Sequence, residues 1–130
     1  MDLRRQAVVD IVRMMETVVR VREALEATEV RYAAALETLR TGGPITETLQ
    51  LSDAGASRQM LTDALQELQQ ARHAARRVMI QLGRAEGQTI AEIAATWGIS
   101  RQLVSRYLAE EVGGSGDEAS DLVVTPDTAS

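Results

Sequence analysis

Apolar residues return at every seventh position over the first forty residues. Ile11, Val18, Leu25, Tyr32 and Leu39 form one series, and Ala7, Met14, Val21, Thr28 and Ala35, each four residues earlier, form a second. Seven residues make close to two helical turns, so both series run along one side of a helix. Neither Gly nor Pro occurs before Gly42, and the pattern predicts one helix of roughly 38 residues, on the order of 55 Å long at 1.5 Å per residue. Such a helix cannot bury its own stripe. Arg22 and Glu29, seven apart beside the stripe, either fix register in a helical assembly or stay solvated at its flank.

Thr41-Gly42-Gly43-Pro44 ends this helix, because Gly permits a left-handed exit and Pro cannot continue the hydrogen-bond ladder. A loop with at most one helical turn is expected from there to about Ser52. A second long helix is predicted from about Asp53 to Leu82, with Leu61, Leu68, Ala75 and Leu82 at intervals of seven and Ala64, Leu65, Ala71, Val78 and Met79 beside them. The two long helices are expected to pair as an antiparallel, coiled-coil-like hairpin over residues 1–82. A two-helix hairpin leaves much apolar surface uncovered, above all between Val8 and Val21, so a second copy is its expected cover, giving a homodimer through residues 3–82.

Composition agrees with an all-α chain. With one Trp, two Tyr and no Phe among 130 residues, the interior must be built from Leu, Val, Ile, Met and Ala, which pack helix against helix. The absence of Cys excludes disulfides and thiolate metal sites, and no cofactor is expected. The single His, His73, makes neither a metal site nor a catalytic triad by itself; an exposed or interfacial imidazole is expected instead. No nucleophile–base pair or phosphate loop is visible, so an enzyme is the weakest functional class. The start of the chain resembles a signal peptide only until Asp10 and Arg13 interrupt the apolar run, and no stretch reaches the ~18 apolar residues a bilayer span needs. A soluble, cytoplasmic chain with no membrane partner is therefore expected.

The formal net charge is −5, but it is unevenly spread. Residues 70–112 hold six Arg against four acidic residues, whereas residues 44–69 hold one against four and residues 113–130 none against four. The last stretch, rich in Gly, Ser, Asp and Thr, is expected to be a disordered acidic tail. All fourteen basic residues are Arg.

The most informative passage lies in the one positive segment, over residues 83–112. Thr89 with Glu92 three residues on forms a capping box that starts a short helix. Ala94 is small where two helices would approach, and Ile93, Trp97, Ile99, Val104 and Leu108 supply a wedge between them and the preceding helix. That place in the wedge makes Trp97 a packing residue and not a ligand platform. Gly98 suits a turn with positive φ, and Ser100 caps a second helix. The early exposed positions of that helix are Arg101, Gln102, Ser105 and Arg106. Arg can donate two bonds to guanine, Gln can pair with adenine, and Ser can reach bases or phosphates.

Residues 74–112 resemble region four of the sigma factors and the helix-turn-helix domains of site-specific recombinases, in Arg77-Val78-Met79-Ile80-Gln81-Leu82, then Thr89-Ile90-Ala91-Glu92-Ile93-Ala94, Gly98-Ile99-Ser100 and Val104. About a third of the chain is covered, and the motif is more specific for fold than for biological role. The resemblance implies that Ser100, Arg101, Gln102, Ser105 and Arg106 face double-stranded DNA, with Thr89 beside them. Upstream, a helical hairpin stands where a sigma factor would have its promoter-melting region, so a complete sigma factor is not expected. Arg72, Arg76, Arg77 and Arg84 either hold phosphates or pair with Glu67, Glu86 or other acidic groups on the facing helix. The expected function is that of a nucleoid-associated, sequence-specific transcription regulator acting as a homodimer. The alternative is a sigma-like accessory module whose hairpin docks on a protein partner of the transcription machinery.

Overall fold

The computed structural model describes residues 2–53 and 55–111; the expected acidic tail at 113–130 lies outside the described residues. The described residues form five helices: α1 (Leu3–Arg40), α2 (Ile45–Asp53), α3 (Gly55–Ala85), α4 (Ile90–Trp97) and α5 (Arg101–Ala109). No strand occurs among the described residues. No helix of the described residues is long and apolar enough to cross a membrane.

α1 runs unbroken to the expected stop. Gly42 adopts φ 81°, and its N–H and that of Gly43 return to the carbonyls of Leu39 and Thr38 at 3.2 and 2.8 Å. The expected loop before Ser52 is instead the nine-residue helix α2. The proline that cannot continue α1 is well placed to begin another helix: the Pro44 carbonyl accepts from Glu47 and Thr48 N–H at 3.1 and 3.2 Å, Glu47 lies in the first turn, and Thr48 and Ser52, four apart, are buried on one face. α3 outlasts the predicted end at Leu82 by three residues. It passes through Gly83 and ends at Ala85, and the turn that follows reaches φ 106° at Gly87.

The described residues divide into two compact units, one of residues 2–14 with 69–111 and the other within Met15–Leu68. In the first, the core is built of large side chains: Ile80, Ile93 and Val104 expose nothing, Leu103, Tyr107 and Ala94 are buried with them, and Ile90, Trp97, Ile99 and Leu108 pack around. Full burial of each such aliphatic side chain stabilises by about 1.5–3 kcal/mol. Arg4 also bonds Glu86 in this unit.

The second unit is built differently. Among the described residues those buried in it are Thr17, Val21, Ala35, Thr48, Ser52 and Ala64, small or polar almost throughout. Thr28 satisfies its hydroxyl locally, donating to the Ala24 carbonyl at 2.8 Å and accepting from Arg31 at 3.0 Å. Arg20 pairs with Glu67 at 2.9 Å, and Ala24, Ala27, Met60 and Ala64 line one groove. Numbers that rise along α1 thus meet numbers that fall along α3, so the two segments run antiparallel here.

The two heptad series of α1 part company. Ala7, Val21 and Ala35 are buried, with Met14 and Thr28 half-buried between them, whereas Ile11, Val18, Leu25, Tyr32 and Leu39 are exposed. Between Ala7 and Ala35 the buried and half-buried positions of α1 follow the heptad seam 7, 10, 14, 17, 21, 24, 28, 31 and 35, and most of them are Ala or Thr. Small side chains allow close approach of backbones, so the helix turns its narrow stripe inward and leaves its bulky one out.

Candidate nucleic-acid interface

α4 and α5 are each fixed by their own ends. The Thr89 hydroxyl accepts from Glu92 N–H at 3.1 Å while the Glu92 carboxylate accepts from Thr89 N–H at 2.8 Å, closing the expected capping box. The backbone bond from Thr89, aided by its hydroxyl, holds the Glu92 carboxyl below its ordinary value. Gly98 caps the other end at φ 65°, ψ 36°, and Ile99 N–H closes on the Ala94 carbonyl at 3.1 Å. The φ required at Gly98 is left-handed, which residues carrying a Cβ enter only at a cost. Ser100 then starts α5, its hydroxyl accepting from Leu103 N–H at 3.0 Å. Two helices joined by three residues therefore have a defined turn before any tertiary contact is made.

At 100° per residue, α5 divides cleanly. Leu103, Val104 and Tyr107 centre on one side and are buried; Arg101, Gln102, Ser105 and Arg106 centre on the opposite side and are exposed. The buried side is tied to α3 at the end of the helix. Gln81 donates to the Tyr107 and Glu110 carbonyls at 2.8 and 2.7 Å, which satisfies carbonyls the helix end leaves over. His73 Nε2 lies 3.1 Å from both Glu110 carboxylate oxygens, with its ring 5.1 Å from that of Tyr107. The imidazole expected at an exposed or interfacial position is thus interfacial, between α3 and the end of α5.

The expected site residues are distributed as follows. Ser100, Arg101, Gln102, Ser105 and Arg106 share the start and outer face of α5. Thr89 is exposed beside α4, with its hydroxyl oxygen engaged as a cap, as is that of Ser100. Arg76 is half-buried, its guanidinium 5.8 Å from the Trp97 ring centre. Arg77 departs from the expectation: it is only 4% exposed, so it is not available to a phosphate. The reason is the covering of α3 around most of its circumference in this stretch, where Ala74, Ala75, Val78 and Ile80 are buried as well. Two of the acidic groups expected as partners for the arginines of α3 are paired with arginines of α1, Glu86 with Arg4 and Glu67 with Arg20, while Arg84 donates to the Gln88 carbonyl at 3.0 Å.

Sequence reasoning placed Ile93, Ala94 and Val104 at the helix contact but missed Ile80, Leu103 and Tyr107, the other buried members of this core. Leu103 and Tyr107 are four apart and flank Val104, a helical signal that was there to be read. Gln81 and His73 carry no comparable signal, because a polar side chain reaching 26 or 37 residues along the chain leaves no local pattern. Compared with protein-family models, with curated proteins and with solved structures, the chain matches none.

Proposed function

We propose that the chain binds double-stranded DNA as a sequence-specific transcription regulator, with α4 and α5 acting as a helix-turn-helix, α5 as its reading helix, and two copies acting together. The observation that carries this reading is the division of α5: one side is wholly packed, and the other presents Arg101, Gln102, Ser105 and Arg106 together. Guanidinium and carboxamide groups on the first two turns of a short, rigidly capped helix are what base edges in a major groove require. Arg72, exposed on α3, supplies a candidate phosphate contact.

Selection of bound sequences from a random duplex pool, followed by titration of the recovered duplex at two salt concentrations, tests the reading. A roughly palindromic site whose affinity falls steeply with salt is expected. Absence of enrichment removes it. One observation favours a second reading, in which the same helices contact a protein: between Thr89 and Glu111 the two arginines Arg101 and Arg106 stand against three glutamates, Glu92, Glu110 and Glu111, a weak charge for a phosphate backbone. A tight protein partner with no DNA affinity at low salt selects that alternative.

A further inference from the structure

The exposed stripe of α1 has its own heptad frame. Val8, Met15, Arg22, Glu29 and Leu36 occupy one of its two core positions and Ile11, Val18, Leu25, Tyr32 and Leu39 the other, three residues on. Every one of these residues is exposed, Met15 at 63% and Leu25 and Tyr32 at 50% each. The frame is the buried seam shifted by one residue, hence rotated ~100° around the helix, and it is the more apolar of the two. A groove on this face is lined by Val18, Val21, Arg22, Leu25, Glu26 and Glu29, so Arg22 and Glu29 stand inside the stripe and not beyond its edge, with Glu26 one position beyond Leu25.

We infer that this stripe is covered by the same stripe of a second copy, in antiparallel orientation, centred between Arg22 and Leu25. The proposal rests on the dimeric form of the reading above and specifies its geometry. Charge and register together carry it. In an in-register parallel pair, Arg22 would face Arg22 of the partner subunit and Glu29 would face Glu29 of the partner subunit, placing like charges within the seam twice. In the antiparallel pair the layers become Met15 with Tyr32, Val18 with Glu29 and Arg22 with Leu25, and the same layers recur in reverse on the other side of the centre. Each Arg22 then lies one layer from Glu29 of the second copy, within reach of a guanidinium. Both ions are paired, and apolar layers close the ends. The stripe is complementary to itself in this direction and in conflict with itself in the other.

Because the chain contains no cysteine, engineered ones report on geometry without background. Met15→Cys and Tyr32→Cys chains, mixed in their full-length form under mild oxidation, are expected to give the mixed disulfide as the main product, with little of either homodimeric disulfide. Predominant homodimeric disulfides, or a monomeric mass at tens of micromolar with no cross-link, overturn the proposal. Charge exchange gives a second, independent reading. Arg22→Glu and Glu29→Arg should each raise the dimer dissociation constant about tenfold or more by juxtaposing like charges, and the double variant should recover most of the loss. Equal dissociation constants for all four proteins, with helix content unchanged, overturn it as well. Neither measurement uses DNA, so failure here is distinguishable from failure of α5 to bind a duplex.

Discussion

The two units of this chain spend their apolar residues in opposite ways. Around α4 and α5 the large side chains are inside: Ile80, Ile93 and Val104 expose nothing. In the unit from Met15 to Leu68 the inside is Ala, Thr, Ser and one Val, while Val18, Leu25, Tyr32, Leu36 and Leu39 look outward. At ~25 cal/mol per Å² of apolar surface buried, the first arrangement stabilises itself, and the second leaves most of its driving force unspent within a single copy. The difference separates a region that buries its bulky apolar side chains from one that leaves them at its surface.

Truncating both regions in parallel exposes that contrast most sharply. Ile93→Ala should cost about 2–5 kcal/mol of unfolding free energy, as expected for a fully buried aliphatic group, and Leu25→Ala in dilute monomer should cost well under ~1 kcal/mol, in line with exposed positions. Urea unfolding of the two variants measures both, and equal losses would erase the distinction. The outer face of α5 should behave as neither. Arg101→Ala and Arg106→Ala are expected to leave the unfolding midpoint in place while each weakens specific DNA affinity by about 1–3 kcal/mol, read by titration of the selected duplex; full affinity in both would remove α5 as the reader.

Smaller effects sharpen the picture of how the complete region is held. At Gly98 nothing lies within 4 Å of an added Cβ, so Gly98→Ala should cost only the left-handed backbone term, roughly 1–2 kcal/mol, with the same core contacts retained. Thr89→Ala should cost about 1 kcal/mol through loss of the cap. Glu92→Gln gives a pH signature. The Glu92 carboxyl is held below its ordinary value in the folded chain by its bonds to Thr89, so its contribution is present above the unfolded pKa and is lost as the pH falls through the folded one. Thermal unfolding of wild type and Glu92→Gln should therefore differ at neutral pH and converge in acid; a difference independent of pH would assign the effect to something other than ionisation.

Local chemistry explains why α4 and α5 were so legible in the chain. Thr89, Glu92, Gly98 and Ser100 act within three or four residues of themselves, and a capping box or a left-handed glycine needs no distant partner. The length of α1 was equally plain, since it depends only on periodicity and on the Gly-Gly-Pro stop. α2 was hidden because Pro44 signals both an end and a beginning, and only the engagement of its carbonyl distinguishes them. The burial of Arg77 and the ties from Gln81 and His73 to the end of α5 were hidden for another reason: each depends on which helix lies alongside.

By itself, then, the order of residues determined an all-helical chain, the start and stop of its long first helix, and a two-helix unit with a polar outer face, because each of these follows from interactions a few residues long. Which of the two stripes of α1 faces inward was decided only in three dimensions. Hydrophobicity alone favours burying the bulky stripe, yet within one copy the Ala and Thr stripe is the buried one; the closer helix packing that small side chains permit counts only once a second helix is there to meet them.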